Sequence, residues 1–125
     1  LELEISFEIL MRKLLLIVDN WELLERYEER FSQAFEVECA PFGSDGVRMA
    51  RENPPDLILL NLNFEDMTIR EACLALRSDS LTRDIPIIAA GTPDDHAKPD
   101  GWISEPVSLE NLEELFEGWK AARRR

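Results

Sequence analysis

The chain has 125 residues, enough for one domain with a single core that needs neither disulfides nor metals to hold it together. Twenty-six acidic residues against fourteen basic ones give a formal net charge of −12, which opposes non-specific binding to nucleic acid or to an anionic membrane surface and points to a protein partner. No stretch approaches the roughly eighteen uninterrupted apolar residues of a membrane span, and no basic-then-apolar leader opens the chain, so a soluble, cytoplasmic protein is expected.

Residues Leu1 to Ile9 alternate apolar and polar side chains without a fault, the period-two signature of a strand with one buried face. Met11-Arg12-Lys13 looks like a natural start, so residues 1–11 read as an upstream extension or an expression remnant that can form an extra strand. Leu14-Leu15-Leu16-Ile17-Val18 is a continuous apolar run, as a strand buried on both faces of a parallel sheet should be, and it ends in Asp19-Asn20. Trp21 to Phe31 turns helical, with Leu23, Leu24, Tyr27 and Phe31 on one side.

Phe35 to Ala40 is a short, partly polar second strand, suited to a sheet edge. Ser44 to Glu52 is a second helix, stopped by Pro54-Pro55. Asp56 to Asn61 is the third strand and Ile69 to Arg77 the third helix. Ile85 to Ala90 is the fourth strand, and Gly101 to Ser104 a short fifth. Ser108 then caps a last helix whose Leu109, Leu112, Leu115, Phe116 and Trp119 recur at helical spacing. Strand and helix alternate throughout, which predicts an α/β fold with a parallel sheet covered on both faces. The domain is expected to span residues 12–122, followed by a basic tail, 123–125, whose arginines suit the negative end of the last helix.

Four segments in order, Lys13 to Asn20, Pro55 to Asn61, Ile85-Pro86-Ile87-Ile88 and Glu105-Pro106, resemble the receiver domain of two-component response regulators. Glu71 to Asp79 is similar to that family's third helix and its Leu-Arg-x-Asp ending. The resemblance covers residues 12 to about 120 and implies the CheY-like, flavodoxin-like architecture: a doubly wound five-stranded parallel sheet in the order 2-1-3-4-5. The chemistry then sits at the carboxyl ends of the strands.

Residue by residue, the resemblance implies a degenerate site. The family's pair of metal-binding acids corresponds to Asp19-Asn20, its phosphoacceptor aspartate to Asn61, its hydroxyl residue to Gly91, with Thr92 one residue on, and its lysine to Glu105. The aromatic switch position is kept as Trp102. A neutral amide is a far weaker nucleophile than a carboxylate and forms no comparable acyl phosphate. A carboxylate at 105 repels phosphoryl oxygens where the family's lysine attracts them. Gly91 to Glu105 is also roughly eight residues too short for the family's fourth helix at 1.5 Å per residue, and Thr92 to Asp100 carries two prolines and no apolar stripe. That helix is expected to be absent or a single turn.

The expectation is therefore a pseudo-receiver with no enzymatic activity, no cofactor and no bound metal, working through protein partners such as other signalling domains or a second copy of this chain. The amides of Asn61 and Asn20 are expected to hydrogen-bond the nearby carboxylates in place of a metal, although Asp19 and Glu105, with Glu65 or Asp66, could instead gather a divalent cation. Two alternatives stay open: phosphorylation at a substitute carboxylate, Asp66 or Glu65, or a small-ligand site in the strand-end crevice. Trp102 is either a switch frozen inward into the space vacated at Gly91 or a side chain packed on the surface left by the missing helix. His96 reads as a solvated loop residue, and Cys39 and Cys73 as buried free thiols.

Overall fold

The structure, a computed structural model, describes residues 12–63 and 66–123. The alternating segment 1–9, Glu65 and the last two arginines of the basic tail lie outside the described residues. Five strands, β1 (Lys13–Val18), β2 (Glu36–Ala40), β3 (Leu57–Asn61), β4 (Ile87–Ala90) and β5 (Gly101–Ile103), alternate with four helices. These are α1 (Trp21–Phe31), α2 (Gly43–Glu52), α3 (Ile69–Arg77) and α4 (Leu109–Arg123). All pairings are parallel and the spatial order is β2-β1-β3-β4-β5, as the resemblance implies.

Period two sorts each central strand onto two cores. Leu14, Leu16 and Val18 of β1, Leu57 and Leu59 of β3, and Ile88 and Ala90 of β4 join α1 and α4 on one face. Leu15, Ile17, Ile58, Leu60, Ile87 and Ala89 join α2 and α3 on the other. Because both faces are covered, the runs show no alternation of apolar with polar residues. Close packing of α2 on β1 depends on Gly46, where a Cβ would come within 2.5 Å of Ile17.

No helix forms between β4 and β5. The chain from Gly91 to Asp100 is instead held as an ordered loop by Asp100, whose Oδ2 accepts from the Ile87 backbone N–H at 2.8 Å and pairs with the Arg77 guanidinium at 2.6 Å. Arg77 also donates to the carbonyls of Arg83 and Ile85, so one side chain joins the end of α3, the entry to β4 and the loop. Ala97 of the loop is buried. Prolines 93 and 99 and the lack of an apolar stripe explain why ten residues cross in this way rather than coil.

At the opposite, amino-terminal edge of the sheet, Arg12 lies between the rings of Phe35 and Phe116, 4.8 and 5.1 Å from their centroids, and reaches Glu117 at 2.8 Å. This contact ties the start of β1 to α4.

Substituting Gly46→Ala is expected to destabilise the fold by about 1–3 kcal/mol, the usual cost of overpacking, read as a lower urea midpoint. An unchanged midpoint would show that α2 can move off β1 freely.

Candidate functional site

The crevice lies at the carboxyl ends of β1, β3 and β4. Asn61 has the parity of Leu57 and Leu59, so its side chain points to the α1 face, where it is 3% exposed. On that face Leu24, Tyr27 and Phe31 form the buried stripe of α1, and the Tyr27 ring stacks on Phe31 with centroids 5.2 Å apart. The Tyr27 hydroxyl meets the end of β3, and Asn61 Nδ2 donates to it at 3.3 Å. Burial pushes the Tyr27 phenol above its ordinary range, with Asn61 and the Val107 backbone opposing and the Glu105 charge adding to the rise. Tyr27 therefore meets the Asn61 amide as a neutral hydroxyl. The Arg30 guanidinium donates to the Val107 carbonyl at 3.0 Å, holding the chain beyond Glu105 against the same helix.

Asp19 is tied elsewhere. Its carboxylate accepts from the Asn63 backbone N–H at 2.7 and 3.0 Å and from Asn63 Nδ2 at 3.0 Å, closing the loop after β3 onto the end of β1. Asn20 turns away to cap α1, its Oδ1 accepting from the Leu23 N–H at 3.0 Å. The expected bonding of the Asn61 and Asn20 amides to the acids is thus corrected. Asn61 bonds Tyr27, Asn20 caps a helix, and Asn63 donates to Asp19. Nothing in the sequence separated Asn63 from an ordinary loop asparagine. Tyr27 was legible as core, but its hydroxyl's partner was not.

Gly91, Thr92, Ser104 and Glu105 share a shallow cleft of about 360 Å³. Gly91 has φ of 125°, a conformation that disfavours any side chain, so the residue at the hydroxyl position answers to backbone geometry as well as chemistry. A Cβ there would meet Glu105 Oε1 at 3.9 Å, and no other described side-chain atom within 4 Å outside its immediate chain neighbours. Trp102 has no atom within 4 Å of that Cβ position and packs half-buried against the α2/α3 core. Glu105 is exposed and precedes Pro106 through a cis peptide bond.

Asp66 faces α2 rather than the crevice. Its Oδ1 accepts from the Gly43 N–H at 3.0 Å and its Oδ2 from the Ser44 hydroxyl at 2.5 Å and backbone N–H at 3.3 Å, capping that helix from a distant loop. The Ser44 hydrogen bonds hold its carboxyl below the usual range. His96 is exposed in its loop. Burial raises both thiols, Cys39 up to about 12 with help from Glu28, although Cys39 is only half-buried.

A divalent cation fits poorly here. Hard cations want several carboxylate or carbonyl oxygens, whereas the single aspartate at the strand ends already takes two N–H donors and the amide at the acceptor position is turned to a phenol. No group of three or more metal-ligating side chains occurs among the described residues.

Comparison with known proteins agrees with the topology. No family model matches the chain. It is 27% identical over 114 residues to Protein PilH of Pseudomonas aeruginosa, covering 82% of this chain and 92% of that protein. Among solved structures it is similar to the receiver domain of a sensor histidine kinase from Pseudomonas aeruginosa PAO1, solved with magnesium in its active-site cleft. There the TM-score is 0.78 at 21% identity, covering 87% of this chain and 97% of that one. The chemotaxis protein CheY4 of Vibrio cholerae superposes with a TM-score of 0.75 at 24% identity, covering 86% and 98%.

Two outcomes are expected. Tyr27→Phe leaves the buried Asn61 amide without its phenol and should cost about 1–3 kcal/mol, seen as a lower urea midpoint with unchanged slope; an unaltered midpoint would show the pair to be idle. For Asp66 the folded pKa lies below the unfolded one, so its contribution is present above the unfolded carboxylate pKa and is lost as pH falls through the folded value. The protection factors of amides in the first turn of α2, exchange rates corrected for the intrinsic pH dependence, should therefore fall at acid pH in the wild type, and Asp66→Asn should flatten that fall. A fall of the same size in the variant would place its cause elsewhere. The sheet order, the crossing helices and the structural likeness together identify the chain as having the CheY-like receiver fold of response regulators.

Proposed function

We propose that this chain is a pseudo-receiver: a receiver-like module of two-component signalling that takes no phosphoryl group at the usual position and acts by binding other proteins. The observation that carries this reading is Asn61, buried at the end of β3 with its amide turned to Tyr27. In-line attack on phosphorus needs an anionic oxygen held in the crevice, and position 61 offers an amide there. Glu105 adds a negative charge where an incoming phosphoryl oxygen would need a cation.

With no covalent switch to throw, the module's output is set by its surface, rebuilt where the 91–100 loop replaces a helix. Signalling partners and self-association both suit this role, and a net charge of −12 argues against nucleic acid. A cytoplasmic setting and the lack of enzymatic turnover go with the same reading. No helix among the described residues is long and apolar enough to cross a membrane.

Phosphorylation at a substitute carboxylate is the rival reading. Both oxygens of Asp66 are engaged at the N-terminus of α2, which weakens it as a nucleophile. Incubation with acetyl phosphate and magnesium, followed by intact-mass measurement, is expected to show no added phosphoryl group. A stable, acid-labile adduct would overturn the proposal, and peptide mapping would then tell Asp66 from any other site.

A further inference from the structure

The loop that replaces a helix leaves a cleft that the pseudo-receiver reading does not use. It has a volume of about 530 Å³ and lies between the first turn of α3 and the 92–96 stretch, with Trp102 at its sheet side. Small-molecule sites typically enclose ~300–1,000 Å³. Indole is a large, flat, polarisable surface, and offset stacking on it rewards another flat ring.

The walls decide which kind of ring. The first turn of α3 contributes Ile69, Arg70 and Glu71, and the loop contributes Thr92, Asp94 and His96. The helix end itself offers no anion site. The Thr68 hydroxyl already accepts from the Glu71 N–H, and Glu71 Oε1 accepts from the Thr68 N–H, each at 3.0 Å. Asp94 likewise receives the His96 N–H at 2.8 Å. Among the described lining residues, one guanidinium faces two carboxylates, so an incoming phosphate or carboxylate gains nothing from the local field. Hydroxyl and imidazole groups, by contrast, can both donate to and accept from a polar ring edge.

We propose that the Trp102 cleft binds a flat, uncharged heteroaromatic molecule, stacked on the indole and hydrogen-bonded at its edge by the Thr92 and His96 side chains. This cleft shares Thr92 with the cleft beside Gly91 but is lined by neither Asn61 nor Asp19, so binding there requires no phosphoryl chemistry and its test is distinct from that of the pseudo-receiver reading.

The test is a titration of the nitrogen-15-labelled protein with indole, caffeine, adenosine and adenosine 5′-monophosphate, followed by amide and indole N–H shifts. At least one uncharged ring is expected to move the Trp102 indole and the His96 amide saturably, with a dissociation constant on the order of 0.1–1 mM for ligands this small. The monophosphate should bind at least about fivefold more weakly than adenosine, consistent with its charge meeting two carboxylates. Thr92→Trp, on an exposed loop position, should fill the cleft and abolish the shifts while the rest of the spectrum stays folded, and Trp102→Leu should weaken binding at least about tenfold. Three results would overturn the proposal: no saturable shift with any of the rings, tighter binding of the monophosphate than of adenosine, or shifts that survive Thr92→Trp in a folded protein.

Discussion

Burial of β1, β3 and β4 on both faces is the constraint from which the rest of the molecule follows. It demands helices on either side of the sheet, hence parallel strands with crossover connections, hence strand ends gathered at one carboxyl edge. It also decides where each residue at those ends looks. The parity that sends Leu57 and Leu59 toward α1 sends Asn61 there too, into a core that tolerates a polar group only when it is hydrogen-bonded. Tyr27 meets that need from the buried stripe of α1.

The strand-end polar groups each find a partner nearby. Asp19 is closed by Asn63, Asn20 is turned into a helix cap, and Asp66 caps α2 across the loop. At Gly91, with φ of 125°, a side chain would strain the backbone even though there is room for its Cβ. Asn20 and Asn61 are thus each engaged, one as a helix cap and the other on the Tyr27 hydroxyl, and position 91 is set by its backbone angle. The same logic holds for the missing helix, whose place is kept by the Asp100 contacts to Ile87 and Arg77.

Much of the fold could be read from residue patterns because length and flanking residues narrow each one. The unbroken apolar runs at 14–18 and 57–60 are too short for core helices and suit doubly buried strands, and the prolines at 93 and 99 leave too little chain for a helix. The site was harder to read. Sequence indicates which carboxylates and amides approach the sheet edge, but not which donor each acceptor finds. Asn20 looked like a pocket residue and is a cap, because the N-cap position offers its oxygen an N–H at close range. Tyr27 declared its ring through helical spacing and concealed its hydroxyl. Trp102 could be placed on β5, but whether its ring fills the space at Gly91 or packs on the surface beside the loop depends on tertiary packing that the sequence does not display.

Under the proposed pseudo-receiver function Asn61 is one part of a concerted rearrangement, which the substitution Asn61→Asp puts to the test. The measurement is magnesium-dependent phosphoryl transfer from acetyl phosphate to that variant, followed by intact mass. With Asp19 held by Asn63, Gly91 locked by its backbone and Glu105 in place of a cation, no phosphoryl adduct is expected at any magnesium concentration in the millimolar range. Stable, magnesium-dependent phosphorylation of the single variant at residue 61 would contradict the account, because it would show that only the nucleophile had been lost.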